Sequence, residues 1–272
     1  MDKPETDTAF AGSIPKLYET LMVPLIFEPY AVDLVDRLAA RPLTRVLEVA
    51  AGTGVVTRRL ASVLPASVAI VATDLNQPML DYASVVGTAR PVEWRQADAT
   101  TLPFADESFD AVVCQFGVMF FPDKAKALAE ARRVLVPGGI FIFNVWDRIE
   151  DNEFADVVTT ALRSVFPDDP PRFMARIPHG YHDLATIGHD LKNGGFGTVP
   201  GTSTVAARSR AASARVAAMA YCLGTPLRGE IEARDKTRLD AATEAATQAI
   251  AARFGPGAVD GKIQAHIVSI EK

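Results

Sequence analysis

The stretch Val46-Leu-Glu-Val-Ala-Ala-Gly-Thr-Gly54 decides how the first half of this chain folds. An apolar run rich in β-branched residues leads into a glycine turn, and an amphipathic segment, Val55–Leu64, follows directly. Glycine is needed where the backbone must turn tightly and approach a ligand closely, because a Cβ atom would collide there. The pattern therefore predicts a strand, a ligand-contacting turn and a helix.

Outward from this stretch, short apolar runs alternate with helical patterns. Near-continuous apolar strands separated by helices indicate a parallel sheet covered on both faces. The predicted strands of this half are Arg45–Ala50, Val68–Thr73, Pro91–Arg95, Phe109–Gln115 and Ile140–Val145. The helices predicted between them are Val55–Leu64, Pro78–Val86 and Lys124–Leu135.

Two regions flank this alternation. Before it, Ile14–Arg41 predicts two helical pieces that are broken at Pro24 and Pro29, since proline removes a helical hydrogen bond. After it, the pattern predicts two more strands and several helices. The helices are Asp151–Phe166, Asp183–Gly194, Ala211–Leu223 and Gly229–Phe254, and the strands are Thr198–Ala206 and Ile263–Ile270.

Composition excludes several classes of protein. Of the 272 residues, 49% are hydrophobic, and 28 basic against 33 acidic side chains give a net charge of −5 without any basic block. A nucleic-acid partner would need a concentrated basic surface, and we expect none. No apolar run reaches the ~18 residues of a membrane span, and the acidic start lacks the apolar core of a signal peptide. The two cysteines lie far apart, so we expect a cytoplasmic protein without a disulfide framework or metal site.

Three acidic residues lie on or just after consecutive predicted strands. Glu48 lies inside an apolar strand, where an unpartnered carboxylate would be costly. Asp74 ends the next strand and could accept the hydroxyls of a ribose, and Asp98 could accept from an exocyclic amine such as that of adenine. Each alone has a plainer interpretation: Asp74 could cap the following helix, and Asp98 could be a turn residue. Together, at the strand ends where ligands bind in parallel sheets, they predict a nucleoside pocket.

These motifs resemble those of class I S-adenosylmethionine-dependent methyltransferases, in the group related to ubiquinone-biosynthesis enzymes. Glu48–Gly54 is similar to the first motif of that family, although Ala50 stands where its first glycine is usual. Further matches cover roughly residues 44–146. They are Ala72-Thr-Asp-Leu-Asn-Gln-Pro-Met-Leu80, Ala97-Asp-Ala-Thr-Thr-Leu-Pro-Phe104, Ser108-Phe-Asp-Ala-Val-Val-Cys114 and Leu135-Val-Pro-Gly-Gly139.

The resemblance implies an α/β, Rossmann-like fold. Its seven-stranded, mostly parallel sheet would have helices on both faces, an N-terminal helical lid and helical insertions after strands 5 and 6. We divide the chain accordingly into a lid at 1–43, a cofactor-binding core at 44–147, a helical insertion over the acceptor site at 148–197, and a C-terminal part at 198–272 that completes the sheet.

The resemblance also implies residue roles toward S-adenosylmethionine and its product S-adenosylhomocysteine. Gly52, Thr53 and Gly54 would pass beneath the methionine portion, with Glu48 orienting its amino group, and Asp74 would hold the ribose. The remaining implied contacts are Tyr18 and Ala50, Leu75 and Met79 around the adenine, Asp98 and Ala99 at its edge, and Gln115 and Phe116 near the sulfonium.

Two rival functions stay open. A nicotinamide-dependent oxidoreductase also begins with a strand, a glycine turn and a helix, but its fingerprint needs a third small residue for the pyrophosphate. Here the third position is Thr57, which makes that function less favoured. A protein that binds S-adenosylmethionine without transferring its methyl group is the other alternative.

The sequence says less about the methyl acceptor. Tyr18, Phe27 and Tyr30 are candidate walls of its site, although simple packing also explains them. His179 and Tyr181 are candidate general bases, because histidine titrates near neutrality, whereas His182 is better explained as part of a helix start. We expect a small, partly apolar acceptor such as a quinone, polyketide, phenol or fatty-acid-like metabolite, with methylation at oxygen or carbon favoured. The alanine-rich helices within 211–254 could form a homodimer surface.

Overall fold

The computed structural model describes residues 5–8, 10 and 12–272, with only the backbone of Glu5 and Thr6. Residues 1–4, 9 and 11 of the predicted lid lie outside this part. The chain forms two compact units. Unit 1 comprises the described residues up to Glu28 together with Trp146–Gly180 and Ala206–Gln264, and unit 2 comprises Pro29–Val145, Tyr181–Val205 and Ala265–Lys272. Each unit is assembled from stretches that are not consecutive in the chain, whereas the four predicted segments are consecutive, and their division into lid, core, insertion and C-terminal part stays a prediction.

The strands and helices alternate along the first half of the chain as predicted. The strands are β1 (Arg45–Val49), β2 (Ala69–Asp74), β3 (Glu93–Gln96), β4 (Phe109–Gln115), β5 (Leu135–Trp146), β6 (Gly201–Ala211) and β7 (Val259–Glu271). The helices are α1 (Ile14–Leu17), α2 (Glu28–Ala39), α3 (Val55–Val63), α4 (Gln77–Val86), α5 (Lys124–Val134), α6 (Glu153–Val165), α7 (Phe173–Arg176), α8 (Leu184–Asn193), α9 (Ala214–Leu223), α10 (Leu227–Arg234) and α11 (Leu239–Phe254). A π-helical segment, Tyr18–Phe27, lies between α1 and α2.

The strands form one seven-stranded sheet in the order β3-β2-β1-β4-β5-β7-β6. The first five strands in this order, β3, β2, β1, β4 and β5, are parallel to one another, as the apolar runs predicted. The chain passes from β1 to β2 on one side and later to β4 on the other, so the strand order reverses at β1. Ligands of open α/β sheets bind beyond the carboxyl ends of the strands at such a point. The seven-stranded Rossmann-like sheet is therefore confirmed, and it directs attention to the ends of β1, β2, β4 and β5.

Unit 2 contains the parallel strands, except the last residue of β5, and the helices α3, α4 and α5 that lie between them in the chain. Fully buried Val46, Leu47, Val112 and Val113 make the central strands apolar, which allows them to be covered on both faces. The start of α5 is fixed by Asp123, whose carboxylate accepts a hydrogen bond from the backbone N–H of Lys126 at 3.0 Å.

The N-terminal helices depart from the sequence prediction. Helical backbone continues from Ile14 to Ala39 without the breaks predicted at Pro24 and Pro29. Pro24 lies inside the π-helical segment, and Glu28 at its end donates its N–H to the carbonyl of Val23, five residues back. In an α-helix the proline ring would clash with the carbonyl four residues back, and we attribute the wider π turn to the relief of that clash.

The predicted helix Gly229–Phe254 is also wrong in one respect, because it is divided into α10 and α11. Asp235 separates them with an extended backbone, and its carboxylate accepts from the N–H and the hydroxyl of Thr237 at 2.9 and 2.7 Å. In unit 1, α11 packs on both α9 and α6, and α9 also packs on the π-helical segment. Cys114 and Cys222 are buried free thiols. None of the described helices is both long and apolar enough to span a membrane.

Candidate active site

The turn after β1 has the tight backbone that its glycines predicted. Gly52 and Gly54 have φ angles of 57° and 86°, and Ala50 has the left-handed value of 56°. A Cβ atom on Gly54 would lie 2.8 Å from the ring of Trp94, so side chains are excluded there. Ala50, which replaces the usual glycine of the resembled motif, adopts the left-handed conformation at a cost of about 1 kcal/mol or more. The turn is therefore strained backbone held in place by its surroundings.

Asp74, the last residue of β2, ties this turn to the sheet. One carboxylate oxygen accepts from the N–H of Gly52 at 2.8 Å, and the other accepts from the N–H of Asn76 at 2.8 Å. The side chain is 8% exposed, and its burial raises the pKa above the ordinary value for aspartate. Because an ionised carboxylate has about four lone-pair positions, it retains capacity to accept hydrogen bonds from further donors.

Glu48 is buried in the middle of β1, with 1% of its surface exposed. Its Oε2 accepts a hydrogen bond from the hydroxyl of Thr57 at 2.5 Å, which compensates part of the cost of burial. Burial nevertheless raises the pKa of Glu48 to about 8. Thr57, considered in the sequence only as the residue that disfavours a pyrophosphate site, is thus the partner of this carboxyl group.

Thr53 carries a buried hydroxyl that the turn itself does not satisfy. The side chain is 1% exposed, and its Oγ1 has no hydrogen-bond partner among the residues that the structure describes. A buried polar group left in this way costs about 1–3 kcal/mol. The cost is explained if a ligand supplies the partner.

The residues expected around an adenine differ in exposure. Leu75 is 49% exposed, unusual for a large apolar side chain directly after a buried strand, whereas Met79 is buried in α4. Asp98 is exposed and accepts from both the N–H and the hydroxyl of Thr100 at 2.8 Å. This is the turn geometry that the sequence offered as the plainer interpretation of Asp98. The roles of Asp98 and half-buried Ala99 toward adenine stay predictions.

The residues that follow β4 form a second strained turn in unit 2, which Asn144 of β5 contacts. Phe116, directly after Gln115, has a φ of 51°. Its N–H donates to the side-chain oxygen of Asn144 at 2.8 Å and to the backbone oxygen of the same residue at 3.3 Å. Its ring meets that of Tyr30 edge-on, with centroids 5.3 Å apart. Sequence reasoning missed Asn144, although a lone amide in the apolar run Phe141–Trp146 was the available signal.

The candidate residues of unit 1 belong to a connected set of rings, which we call the aromatic row: Phe10, Tyr18, Phe27, Trp146 and His179. Successive centroids lie 5.8, 5.0, 6.1 and 6.0 Å apart. Tyr18 is half-buried, while Phe27, Trp146 and His179 are buried. The role of Tyr18 as a cofactor contact stays a prediction, and its ring packs against those of Phe10 and Phe27.

His179 ends the aromatic row and has a defined orientation. Its Nδ1 lies 2.8 Å from the backbone oxygen of Asp147. A carbonyl oxygen only accepts hydrogen bonds, so Nδ1 carries the proton, and in the neutral ring Nε2 has the lone pair. This tautomer is the one that a general base acting through Nε2 requires.

Tyr181, the other candidate base, lies in unit 2 and has contacts typical of packing. Its hydroxyl donates to a carboxylate oxygen of Asp190 at 2.8 Å, and the ammonium of Lys124 lies 4.7 Å from its ring centroid. Burial and the neighbouring Asp190 raise the pKa of Tyr181 far above its ordinary value. A phenol that is so hard to ionise is poorly suited to remove a proton, so the structure favours His179 over Tyr181.

Among the described residues, no group of three or more histidine, cysteine or acidic side chains could hold a metal ion.

Residues 47–143 match the family model described as a methyltransferase domain. A ubiquinone/menaquinone biosynthesis C-methyltransferase of Ectopseudomonas mendocina is 32% identical over 175 residues, which cover 60% of this chain and 68% of that relative. A demethylmenaquinone methyltransferase of Renibacterium salmoninarum is 39% identical over 135 residues, 49% of this chain and 54% of that relative, so the match spans about half of its length.

A solved structure of similar fold is a phosphoethanolamine N-methyltransferase of Haemonchus contortus in complex with phosphomonomethylethanolamine and S-adenosylhomocysteine. Its TM-score is 0.60 at 15% identity, over 98% of this chain and 59% of that chain, and identity this low shows the fold alone. The family model and the relative from Ectopseudomonas confirm the resemblance found in the motifs. The chain belongs to the class I S-adenosylmethionine-dependent methyltransferases of the ubiquinone-biosynthesis type.

Proposed function

We propose that this chain transfers the methyl group of S-adenosylmethionine to the oxygen or carbon of a small, partly apolar acceptor. One observation carries the proposal. The strained turn Ala50–Gly54 excludes a side chain at Gly54 and contains the buried Thr53 hydroxyl that no described residue satisfies, beside the carboxylate of Asp74. Such a cradle fits the methionine and ribose portions of the donor, which bring the missing hydrogen-bonding groups.

The residues of unit 2 would hold the donor without reacting with it. Asp74 would accept from the ribose hydroxyls, Thr53 would contact the methionine portion, and Leu75 would cover the adenine. The donor itself supplies an activated methyl group on a positively charged sulfur. Positioning of the acceptor and exclusion of water therefore account for much of the catalysis.

Proton removal from the acceptor is the step for which we propose a residue of this chain, His179. A hydroxyl or an acidic carbon must lose its proton as it receives the methyl group. Support comes from the hydrogen bond to the Asp147 carbonyl, which leaves the lone pair of the neutral ring on Nε2. The ring of Trp146 lies beside the imidazole, with the two ring centroids 6.0 Å apart.

The relatives favour an aromatic, oxygen-bearing acceptor, since their names refer to ubiquinone, menaquinone and demethylmenaquinone. We propose a small quinol, phenol or polyketide as the acceptor of this chain. A nucleic acid is disfavoured because the net charge is −5 and the sequence has no basic block that could bind phosphates. The homodimer through 211–254 and the cytoplasmic location stay predictions. The alternative of a binding protein without methyl transfer differs from our proposal only in turnover.

Calorimetric titration with S-adenosylmethionine, S-adenosylhomocysteine and NAD⁺, followed by a labelled-methyl assay, tests the proposal. We expect binding of the two sulfur compounds, no binding of NAD⁺, and label transfer to menadiol or to a component of host metabolite extract. Thr53→Val should weaken binding of S-adenosylhomocysteine, whereas the control Thr53→Ser, which keeps the hydroxyl, should not. Binding without any label transfer would favour the binding protein, and binding of NAD⁺ alone would favour the oxidoreductase.

A further inference from the structure

Asn144 is a fully buried amide at the carboxyl end of β5, with 0% of its surface exposed. It pairs in register with Gln115, the last residue of β4, and both residues belong to unit 2. None of the sequence motifs includes it. It is nevertheless hydrogen-bonded to Phe116, and the resemblance expects Phe116 to lie near the sulfonium end of the donor.

The orientation of this amide is fixed by its neighbour. The backbone N–H of Phe116 can only donate, so the atom that faces it at 2.8 Å must be Oδ1. Nδ2 consequently points the other way. It is buried, and no residue that the structure describes accepts a hydrogen bond from it. A buried amide donor in this state costs about 1–3 kcal/mol unless a ligand completes it.

The turn that Asn144 supports is packed against the cofactor turn. A Cβ atom on Gly117 would lie 2.5 Å from the Cβ of Ala50, so the two turns touch at these positions. Phe116 and Ala50 both have left-handed backbone, with φ angles of 51° and 56°. Each conformation is costly for a residue with a side chain and persists only where neighbours enforce it. The hydrogen bond from Phe116 to Asn144 is one such constraint.

We propose that Asn144 is a positioning residue that holds the Phe116 turn through Oδ1 and donates from Nδ2 to the carboxylate of the cofactor's methionine portion. This rests on the proposed function. The ribose hydroxyls are assigned to Asp74 and the adenine edge to Asp98, both of them acceptors. A carboxylate only accepts hydrogen bonds and needs donors such as the amide of Asn144.

The test compares two ligands and two variants. S-Adenosylhomocysteine contains the carboxylate, and 5′-methylthioadenosine lacks the whole amino-acid portion. Asn144→Asp keeps an oxygen for the Phe116 N–H, and its second oxygen can donate only while the carboxyl is protonated. Asn144→Ala removes both interactions. Affinities of the parent and both variants for both ligands are measured by calorimetry between pH 5 and 8.

We expect Asn144→Asp to lose about 10- to 100-fold in affinity for S-adenosylhomocysteine at high pH and less at low pH, relative to the parent, since one hydrogen bond to a charged group is removed. Its affinity for 5′-methylthioadenosine should match the parent's. Equal losses for both ligands, or no loss for either, would overturn the proposal. A merely structural role would produce equal losses.

Nuclear magnetic resonance of the parent protein provides a measurement that no variant's folding can affect. The side-chain amide of Asn144 should shift and exchange more slowly on saturation with S-adenosylhomocysteine, but not with 5′-methylthioadenosine. No change with S-adenosylhomocysteine would overturn the proposal even if it binds. Failure of the parent to bind that ligand at all would instead remove the proposed function itself.

Discussion

Two buried asparagines, one in each unit, differ in how completely their side-chain amides are hydrogen-bonded within the protein. Asn152 of unit 1 is 1% exposed, and its amide nitrogen lies within 3.3 Å of the carbonyls of Asp147, Arg148 and Gln264. Its oxygen accepts from the N–H of Gln264 at 3.1 Å. Asn144 of unit 2 is equally buried, but only its oxygen has a partner within the described chain.

The backbone shows the same contrast. All three described non-glycine residues with positive φ, Ala50, Glu107 and Phe116, belong to unit 2, and two of them follow the carboxyl ends of β1 and β4. Glu48, with its raised pKa, and the unsatisfied Thr53 hydroxyl lie in the same region. Strain and unsatisfied groups persist where function requires them, so this region is expected to gain most from a ligand.

The largest effect that we expect comes from His179. His179→Ala should lower turnover by about 10²- to 10⁴-fold, the usual contribution of a general base, and should change S-adenosylhomocysteine affinity far less. Tyr181→Phe is the control, because it removes only the hydroxyl that donates to Asp190. Labelled-methyl transfer checks both variants. Equal turnover in His179→Ala and the parent would exclude His179 as the base.

Glu48 predicts a pH dependence of stability. Burial raises its pKa from 4.5 to about 8, so the folded protein binds more protons than the unfolded chain between these values. This contribution makes the free energy of unfolding fall as pH rises through that window, by up to about 5 kcal/mol, and then level off. Glu48→Gln, neutral throughout and still an acceptor for Thr57, should remove this fall. Urea unfolding at pH 5, 7 and 9 measures the free energy of unfolding of both proteins. The same pH dependence in the parent and in Glu48→Gln would contradict the prediction.

The two asparagines provide a direct test of the contrast between the units. Asn152→Ala removes two N–H donors, which are shared among three carbonyls, and one acceptor, and should lower the free energy of unfolding by about 3 kcal/mol, at roughly 1 kcal/mol for each hydrogen bond. Asn144→Ala removes one side-chain hydrogen bond but also the unsatisfied Nδ2, so its net cost should be no more than about 1 kcal/mol. Chemical denaturation of the ligand-free protein compares the variants. Equal losses would mean that Asn144 has structural partners comparable to those of Asn152.

The sequence predicted unit 2 well because its determinants are local. Each apolar run is a strand, and the position of Asp74 at the end of β2 follows from the run that precedes it. The left-handed turn around Gly52 and Gly54 follows from the same logic, since glycine tolerates it. Asn144 was missed because its role depends on register: only pairing of β4 with β5 brings it to Phe116.

Unit 1 was predicted less well, because tertiary packing decides its structure. Pro24 predicts a helix break, yet the chain absorbs it in a π-helical segment that packs on α9. The hydrogen bond between His179 and Asp147 joins residues 32 positions apart, and no periodicity indicates it. The candidate base could be named from its chemistry alone, whereas its tautomer required the structure.

Asp74 joins the strained turn of unit 2 to β2 and is the residue that we propose for the ribose of the donor, so its removal should weaken binding strongly. Asp74→Ala would lose the expected ribose hydrogen bonds and also release the N–H of Gly52, which now donates to it at 2.8 Å. We expect about 100-fold weaker binding of S-adenosylhomocysteine, since hydrogen bonds to a charged group contribute about 1.5–3 kcal/mol each. Asp74→Asn, which keeps one acceptor oxygen, should lie between this variant and the parent in calorimetry.

The smallest effect is expected at the contact between the two strained turns. Ala50→Gly removes the backbone strain of an alanine in the left-handed conformation, but glycine also increases the entropy of the unfolded chain. The net stabilisation should therefore be below about 1 kcal/mol. Gly117→Ala should be destabilising, because its Cβ would lie 2.5 Å from the Cβ of Ala50 and 2.6 Å from the Sγ of Cys114.

Combining the two changes removes the first of these clashes and leaves the second. The penalty of Gly117→Ala should therefore be smaller in the Ala50→Gly background by about 1 kcal/mol, a coupling typical of residues in direct contact. Thermal unfolding of the four proteins measures it. Strict additivity would mean that the turns do not press on each other, and support of the Phe116 turn by Asn144 could then not be transmitted to the cofactor turn through this contact.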